Sequence, residues 1–185
     1  MFKILVERAL DSSAKRYDGD ASYLRAMYAA SPRALRKFGS VSKLAAHREA
    51  ASVEACYAAK LVGVLAEDCG PCTQMIVNMA REAKVNDIQI EAVLRADPTA
   101  MSIDTALGFR FAHAIVSRSC DEDAARQAVR ARWGDKGIID LTLAAQISRM
   151  FPMVKAGLGF ATACRRVTIG AKSVDVLGSV DIGTT

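Results

Sequence analysis

The sequence predicts an all-α fold, a single-domain helical bundle with a small C-terminal β-hairpin. Three observations lead there. Alanine is the commonest residue and only four prolines interrupt 185 residues, a balance that favours helix over strand. Apolar residues recur at helical spacing up to about residue 160. β-branched residues separated by glycines gather only in 166–180. The length fits one domain and is enough to bury a core without metal or disulfide staples.

Residues 1–16 read as an amphipathic helix with Phe2, Leu5, Val6 and Ala9 on its apolar face, broken by Gly19. A second helix covers 21–30. Ser31-Pro32 starts a third, with serine as N-cap and proline at the first helical position, and Gly39 closes it. A long helix follows over 42–66 with a break near Arg48. Gly70-Pro71 interrupts the pattern, because proline has no N–H to bond back to Glu67. Pro71 fits the first turn of the next helix, whose apolar stripe is Cys72, Met75, Ile76, Met79, Ala80 and Ala83. Gln74 and Asn78 read as its polar surface.

Asn86 opens the next helix, with Gln89 as capping-box partner and Val85 and Ile90 as hydrophobic staple; Asp97-Pro98 ends it. Residues 102–117 carry Ile103, Leu107, Phe111 and Ile115 at i+4 spacing. Asp121 caps a helix that ends near Trp133-Gly134. The broadly apolar stretch 138–150 is expected at the centre, and Pro152 is expected to start a last short helix over 153–164. In the tail, Val167, Ile169, Val174 and Val176 predict the hairpin.

The net charge of +5 raises a nucleic-acid partner, but the Lys and Arg residues are dispersed. Arg33, Arg36 and Lys37, and Arg126, Arg130 and Arg132, read as solvated helix faces, so no nucleic acid is expected. No apolar run approaches the roughly 20 residues of a membrane span. Glu7 and Arg8 interrupt 1–10 before a signal-peptide core can form, so no membrane partner and a cytoplasmic location are expected. Five cysteines, of which two lie close together, do not make a secreted disulfide framework.

Those two stand in Glu67-Asp68-Cys69-Gly70-Pro71-Cys72. Two cysteines three apart can close a disulfide at a helix start. The orphan N–H groups there stabilise a thiolate and lower its pKa, making a nucleophile for a peroxide or a disulfide. The second cysteine then resolves the product. A packing requirement alone rarely asks for Cys-Gly-Pro-Cys together. No second CxxC or histidine pair completes four zinc ligands, so neither a metal nor an organic cofactor is expected. Cys56, Cys120 and Cys164 are isolated and read as structural.

Cys-Gly-Pro-Cys also occurs in thioredoxins, where the dithiol follows a buried strand. Here Val53, Tyr57, Leu61 and Val64 precede it at helical period, and helices follow it. This context resembles the alkylhydroperoxidase D-like (carboxymuconolactone decarboxylase-like) family, which carries a CxxC at the start of a core helix after a long one. The stretch 69–85 with Ala80-Arg81-Glu82-Ala83 resembles its core motif. Ala106-Leu107-Gly108-Phe109-Arg110-Phe111-Ala112-His113-Ala114 resembles its following helix. Ile138-Ile139-Asp140-Leu141-Thr142-Leu143-Ala144 resembles its later core helix. The resemblance spans about 49–160. It implies an N-terminal helical extension over 1–45, a core over 46–165, a tail over 166–185 and a homo-oligomer.

The family's peroxidatic pattern is a Glu, eleven residues, CxxC, three residues, then His. Tyr57 stands at the Glu position and Ile76 at the His position, so neither relay residue carries over. Cys69 and Cys72 do. By resemblance Cys72 attacks the peroxide and Cys69 resolves; helix-terminus physics alone does not choose between them. Glu67 and Asp68 adjoin the pair. They either act as bases or stand as solvated helix-end carboxylates that raise a thiol pKa. Tyr57 is a candidate hydrogen-bond donor or a core residue. His113 is a candidate facing the dithiol or a structural histidine. His47 has no supporting partner in the sequence.

The expected function is a thiol-dependent antioxidant protein, a peroxidase or disulfide reductase. It would take a hydroperoxide or disulfide substrate and an external thiol reductant. The alternatives are a non-catalytic or redox-sensing helical oligomer and a lactone decarboxylase-like enzyme, since a fold does not fix a function.

Overall fold

The computed structural model describes residues 2–161 and 166–175. In chain order the elements are α1 (Phe2–Tyr17), α2 (Ser22–Ala30), α3 (Pro32–Gly39), α4 (Val41–Ala45), α5 (Val53–Leu65), α6 (Gly70–Glu82), α7 (Asp87–Leu94), α8 (Ile103–Ser117), α9 (Glu122–Gly157), β1 (Arg166–Ile169) and β2 (Lys172–Asp175). The fold is all-α with a small antiparallel hairpin. Cys164 and Val176 lie outside the described residues.

At the centre is α5. Its nine residues Ala55, Cys56, Ala58, Ala59, Leu61, Val62, Gly63, Val64 and Leu65 are buried, the signature of a helix enclosed on nearly every side. It packs chiefly on α8 and α9. Small residues let the axes come close. A Cβ on Gly108 of α8 would lie 2.2 Å from the Ala55 carbonyl oxygen, and one on Gly63 would lie 2.2 Å from that of Ala145 in α9. Phe111 and Leu141 fill the interior beside these contacts, each contributing on the order of 1.5–3 kcal/mol by burial.

The break expected near Arg48 in the 42–66 stretch is there, between α4, which ends at Ala45, and α5, which begins at Val53. Between them, 46–52 folds over Asp140, whose buried carboxylate accepts the N–H groups of Glu49, Ala50 and Ala51 at 2.7–3.0 Å. A fixed anion beneath three consecutive donors satisfies the backbone without a helix. Burial pushes the Asp140 carboxyl up, but these donors and His47 outweigh it and hold it below the ordinary range.

Some local expectations need correction. Asn86 caps α7, yet its Oδ1 accepts from Ile88 N at 2.8 Å, and no capping box forms. Gln89 instead reaches the loop before α8, donating to Ala100 O at 3.1 Å and accepting from Ser102 N at 2.6 Å. On α8 the i+4 stripe meets the core at Phe111, which is buried, while Leu107 and Ile115 are half-buried and Ile103 at the helix start is 78% exposed; Thr105, Gly108 and Ala112 are buried as well. Leu5 of α1 is exposed as well. Pro152 starts no helix: α9 runs through it to Gly157. The proline is buried, and Lys155 one turn on is anchored to Asp20, so tertiary contacts override the missing N–H. The break near Trp133 is real, with Gly134 at φ 67, ψ −167.

The hairpin pairs Val167 with Val174, turns at Gly170 (φ 60), and buries Val167, Ile169 and Val174. Gln74 clamps it to α6: Thr168 N donates to Gln74 Oε1 at 2.7 Å, and Gln74 Nε2 donates to Thr168 O at 2.9 Å. Asn78 holds α1 through Tyr17 O at 2.9 Å. Both residues read as polar surface in the sequence; each joins two elements.

Candidate active site around the Cys69–Cys72 dithiol

The turn from α5 to α6 places the sulfurs. Asp68 takes a left-handed conformation (φ 46), a single-residue reversal that aspartate tolerates better than most side chains. Cys69 is the N-cap of α6, and Gly70, Pro71 and Cys72 form its first turn. Thr73 makes the first backbone bond of the helix, to Cys69 O at 2.9 Å, and its hydroxyl donates to the same oxygen at 3.0 Å. Pro71 has no N–H to leave unpaired, so the orphan donors of this turn belong to Gly70 and Cys72. Cys69 and Cys72 lie at disulfide distance with Cα atoms 5.3 Å apart. Val64 and Ile76 pack on them.

Both sulfurs are buried, Cys69 at 3% exposure and Cys72 at 9%, but their surroundings differ. Cys72 borders a cavity of about 730 Å³, and Cys69 does not. Of the expected apolar stripe Cys72, Met75, Ile76, Met79, Ala80 and Ala83, all but Ala80 line this cavity, while Ala80 enters the core with Thr73 and Val77 of the same helix. From α5 come Val53, Cys56, Tyr57, Lys60 and Val64. The opposite wall comes from α1–α4 and α9, including Leu24, Phe38 and Phe151. Phe38 stacks edge-on with Tyr23 and Phe151, at centroid distances of 6.5 and 5.4 Å, which ties that wall together.

Of the residues expected around the dithiol, Tyr57 shares the cavity with Cys72. Burial pushes its phenol up, so it stays protonated at neutral pH and can donate. Glu67 points elsewhere and accepts from Arg149 Nε at 2.7 Å. A carboxylate held by a guanidinium is a poor base, and it is not part of the cavity wall. Asp68 serves the turn and does not line the cavity. His113 sits on α8, stacked on Phe109 at 5.8 Å, and is also outside the lining. Cys56 is a free thiol on the wall; burial pushes it up to about 11, so it is not a competing thiolate. Cys120 is exposed on the surface.

Residues that sequence reasoning passed over also reach the cavity: His47, Arg48, Lys60 and Lys155. His47 does have partners, with Asp140 at 3.5 Å and Glu49 at 3.8 Å. Lys60 offered a signal, being the one cation within the apolar run of α5. Lys155 offered none, because its partner Asp20 is remote in sequence. Among the described residues no group of three or more His, Cys, Asp and Glu is placed to hold a metal ion. No helix among them is long and apolar enough to cross a membrane.

Compared with known proteins, the chain matches no family model, and no curated protein or solved structure matches it.

Proposed function

We propose that this chain is a thiol-dependent antioxidant protein whose Cys69–Cys72 dithiol reduces a hydroperoxide or disulfide and is reset by an external thiol. One observation carries the reading: Cys72 borders a substrate-sized cavity while its partner sulfur lies within bonding distance behind it.

In the reduced protein the Cys72 thiolate, favoured by the first-turn N–H groups, attacks the terminal oxygen of ROOH. The O–O bond breaks, and the leaving alkoxide takes a proton and departs as ROH. Water entering the cavity supplies that proton, because Tyr57 lies about two turns of α5 before Val64, the residue that touches the dithiol. The Cys69 thiol then attacks the Cys72 sulfenic acid, the S–S bond forms, and hydroxide leaves with the proton as water. Two equivalents of external thiol restore the dithiol and become a disulfide. The sum is ROOH plus two thiols giving ROH, water and a disulfide. A reducing compartment such as the cytoplasm would keep that thiol available.

A redox-sensing role is favoured by one observation, that Glu67 is engaged by Arg149 and so supplies no base. Kinetics separate the two. The reduced chain, Cys69→Ser and Cys72→Ser are mixed with an organic hydroperoxide and excess dithiol. The peroxidase reading expects turnover in the parent and loss in both variants. A parent rate no faster than that of a simple thiol matched in pKa would leave only the sensor.

A further inference from the structure

The cavity carries a charge arrangement that sulfur chemistry does not use. Most of its wall is apolar, yet four charged side chains, Asp20, Arg48, Lys60 and Lys155, and the imidazole of His47 reach it. Asp20 and Lys155 neutralise one another at 2.9 Å, and His47 stands beside Asp140. Arg48 and Lys60 differ. No ion pair among the described residues includes either. Arg48 Nη1 donates to the Ala51 carbonyl, a neutral acceptor, at 3.1 Å. The Lys60 ammonium lies 4.6 Å from the Tyr57 ring centroid. Burial holds this amine below its ordinary value, and the Arg48 charge adds to that. A cation partly withdrawn from water, with a second cation on the same cavity wall, is unfavourable until an anion joins them.

The spacing is equally informative. Lys60 folds back over Tyr57, about two turns of α5, or roughly 10 Å, before Val64, which touches the dithiol. Between the two run Met75 and Met79, adaptable apolar side chains suited to an alkyl chain. Arg48 is exposed, so the cationic end is also where the cavity meets solvent.

We propose that the cavity binds an amphiphilic carboxylic acid, with its carboxylate at Lys60 and Arg48 and its apolar chain directed toward Cys72. The substrate is then the hydroperoxide of such an acid. This last step rests on the peroxidase reading; the binding site does not. The reaction balances as before, the acid hydroperoxide leaving as the hydroxy acid with water, and the carboxylate unchanged.

The test separates the two ideas. Dodecanoate and methyl dodecanoate are titrated by calorimetry into the full chain in its disulfide form, where no peroxide is consumed. The acid is expected to bind at least about tenfold more tightly than the ester, the scale of one charge-assisted contact. Lys60→Met keeps the apolar stem and should shrink that gap, and Lys60→Met with Arg48→Met should abolish it, whereas Lys60→Arg should keep it. Met79→Trp, which narrows the cavity, should weaken both ligands. Equal affinity for acid and ester in the parent, or a gap that survives in the double variant, overturns the acid site. Turnover is measured next with linoleic acid hydroperoxide and its methyl ester. Selective acid binding without turnover sinks the peroxidase reading and leaves the site standing. Turnover with equal KM for acid and ester sinks the site and leaves the peroxidase.

Discussion

Lys155 Nζ lies 2.9 Å from Asp20 Oδ2, and this pair fastens α9 to the turn between α1 and α2. The Lys155 side chain is 2% exposed and that of Asp20 is 38% exposed. Removing the carboxylate strands a buried ammonium. Asp20→Ala should therefore destabilise the protein by about 3 kcal/mol, the lower end for a broken buried pair because solvent reaches the Asp20 side. Urea unfolding checks this; a loss under about 1 kcal/mol, typical of a surface pair, would contradict it.

The same pair sets an acid limit. Burial pushes the Asp20 carboxyl up, but bonds from Ser22 and Lys155 outweigh it and bring it from 3.8 down to about 2. A carboxylate with a depressed folded value stabilises fully above its unfolded value and loses that contribution as pH falls through the folded one. Stability should decline between about pH 3.8 and 2, and Asp20→Asn should flatten that part of the profile.

Reactivity at the two sulfurs should be unequal. In reduced Cys69→Ser, one equivalent of organic hydroperoxide should leave a sulfenic acid on Cys72, trapped by dimedone and located by mass spectrometry. Cys72→Ser should give little adduct, because Cys69 is buried and off the cavity. Adduct mainly on Cys69 would reverse the assignment.

Close helix contacts predict a contrast between glycines. Gly108→Ala puts a methyl 2.2 Å from the Ala55 carbonyl oxygen, so α5 and α8 must part. About 1–3 kcal/mol of destabilisation is expected. Gly157→Ala meets no atom within 4 Å and should gain about 0.4–1 kcal/mol. Thermal melts of both variants decide the matter.

Gln74→Ala removes all three hydrogen bonds with Thr168. Faster amide exchange at Thr168 is expected, with the interior of α5 unchanged. Exchange rising equally in both places would mean the hairpin is integral to the core.

Much local chemistry was legible where a signal lay within one or two turns, although the Asn86–Gln89 capping box was not borne out. Ser31 caps its helix through Ala34 N, as side chains of that type do. Pro71 opens α6, and valines and isoleucine around Gly170 make the hairpin. The dithiol was legible because its four residues are contiguous. Long-range matters were not. The stripe of α6 showed an apolar face, but periodicity cannot tell a packed face from one lining a cavity. The break near Arg48 was legible, but its anchor Asp140, some ninety residues away, was not; nor was the run of α9 through Pro152, near which Lys155 pairs with Asp20. Glu67 was a candidate for its nearness in sequence; Arg149, far along the chain, takes it away.

The placement of Cys72 on a shared chamber has a kinetic consequence. Under the proposed peroxidase function, oxidant and reductant would approach the same sulfur through the same space and so would take turns. The spent product would then have to leave before recycling begins. An occupant with no oxygen to surrender would act as a brake, prolonging the oxidised state without touching either cysteine.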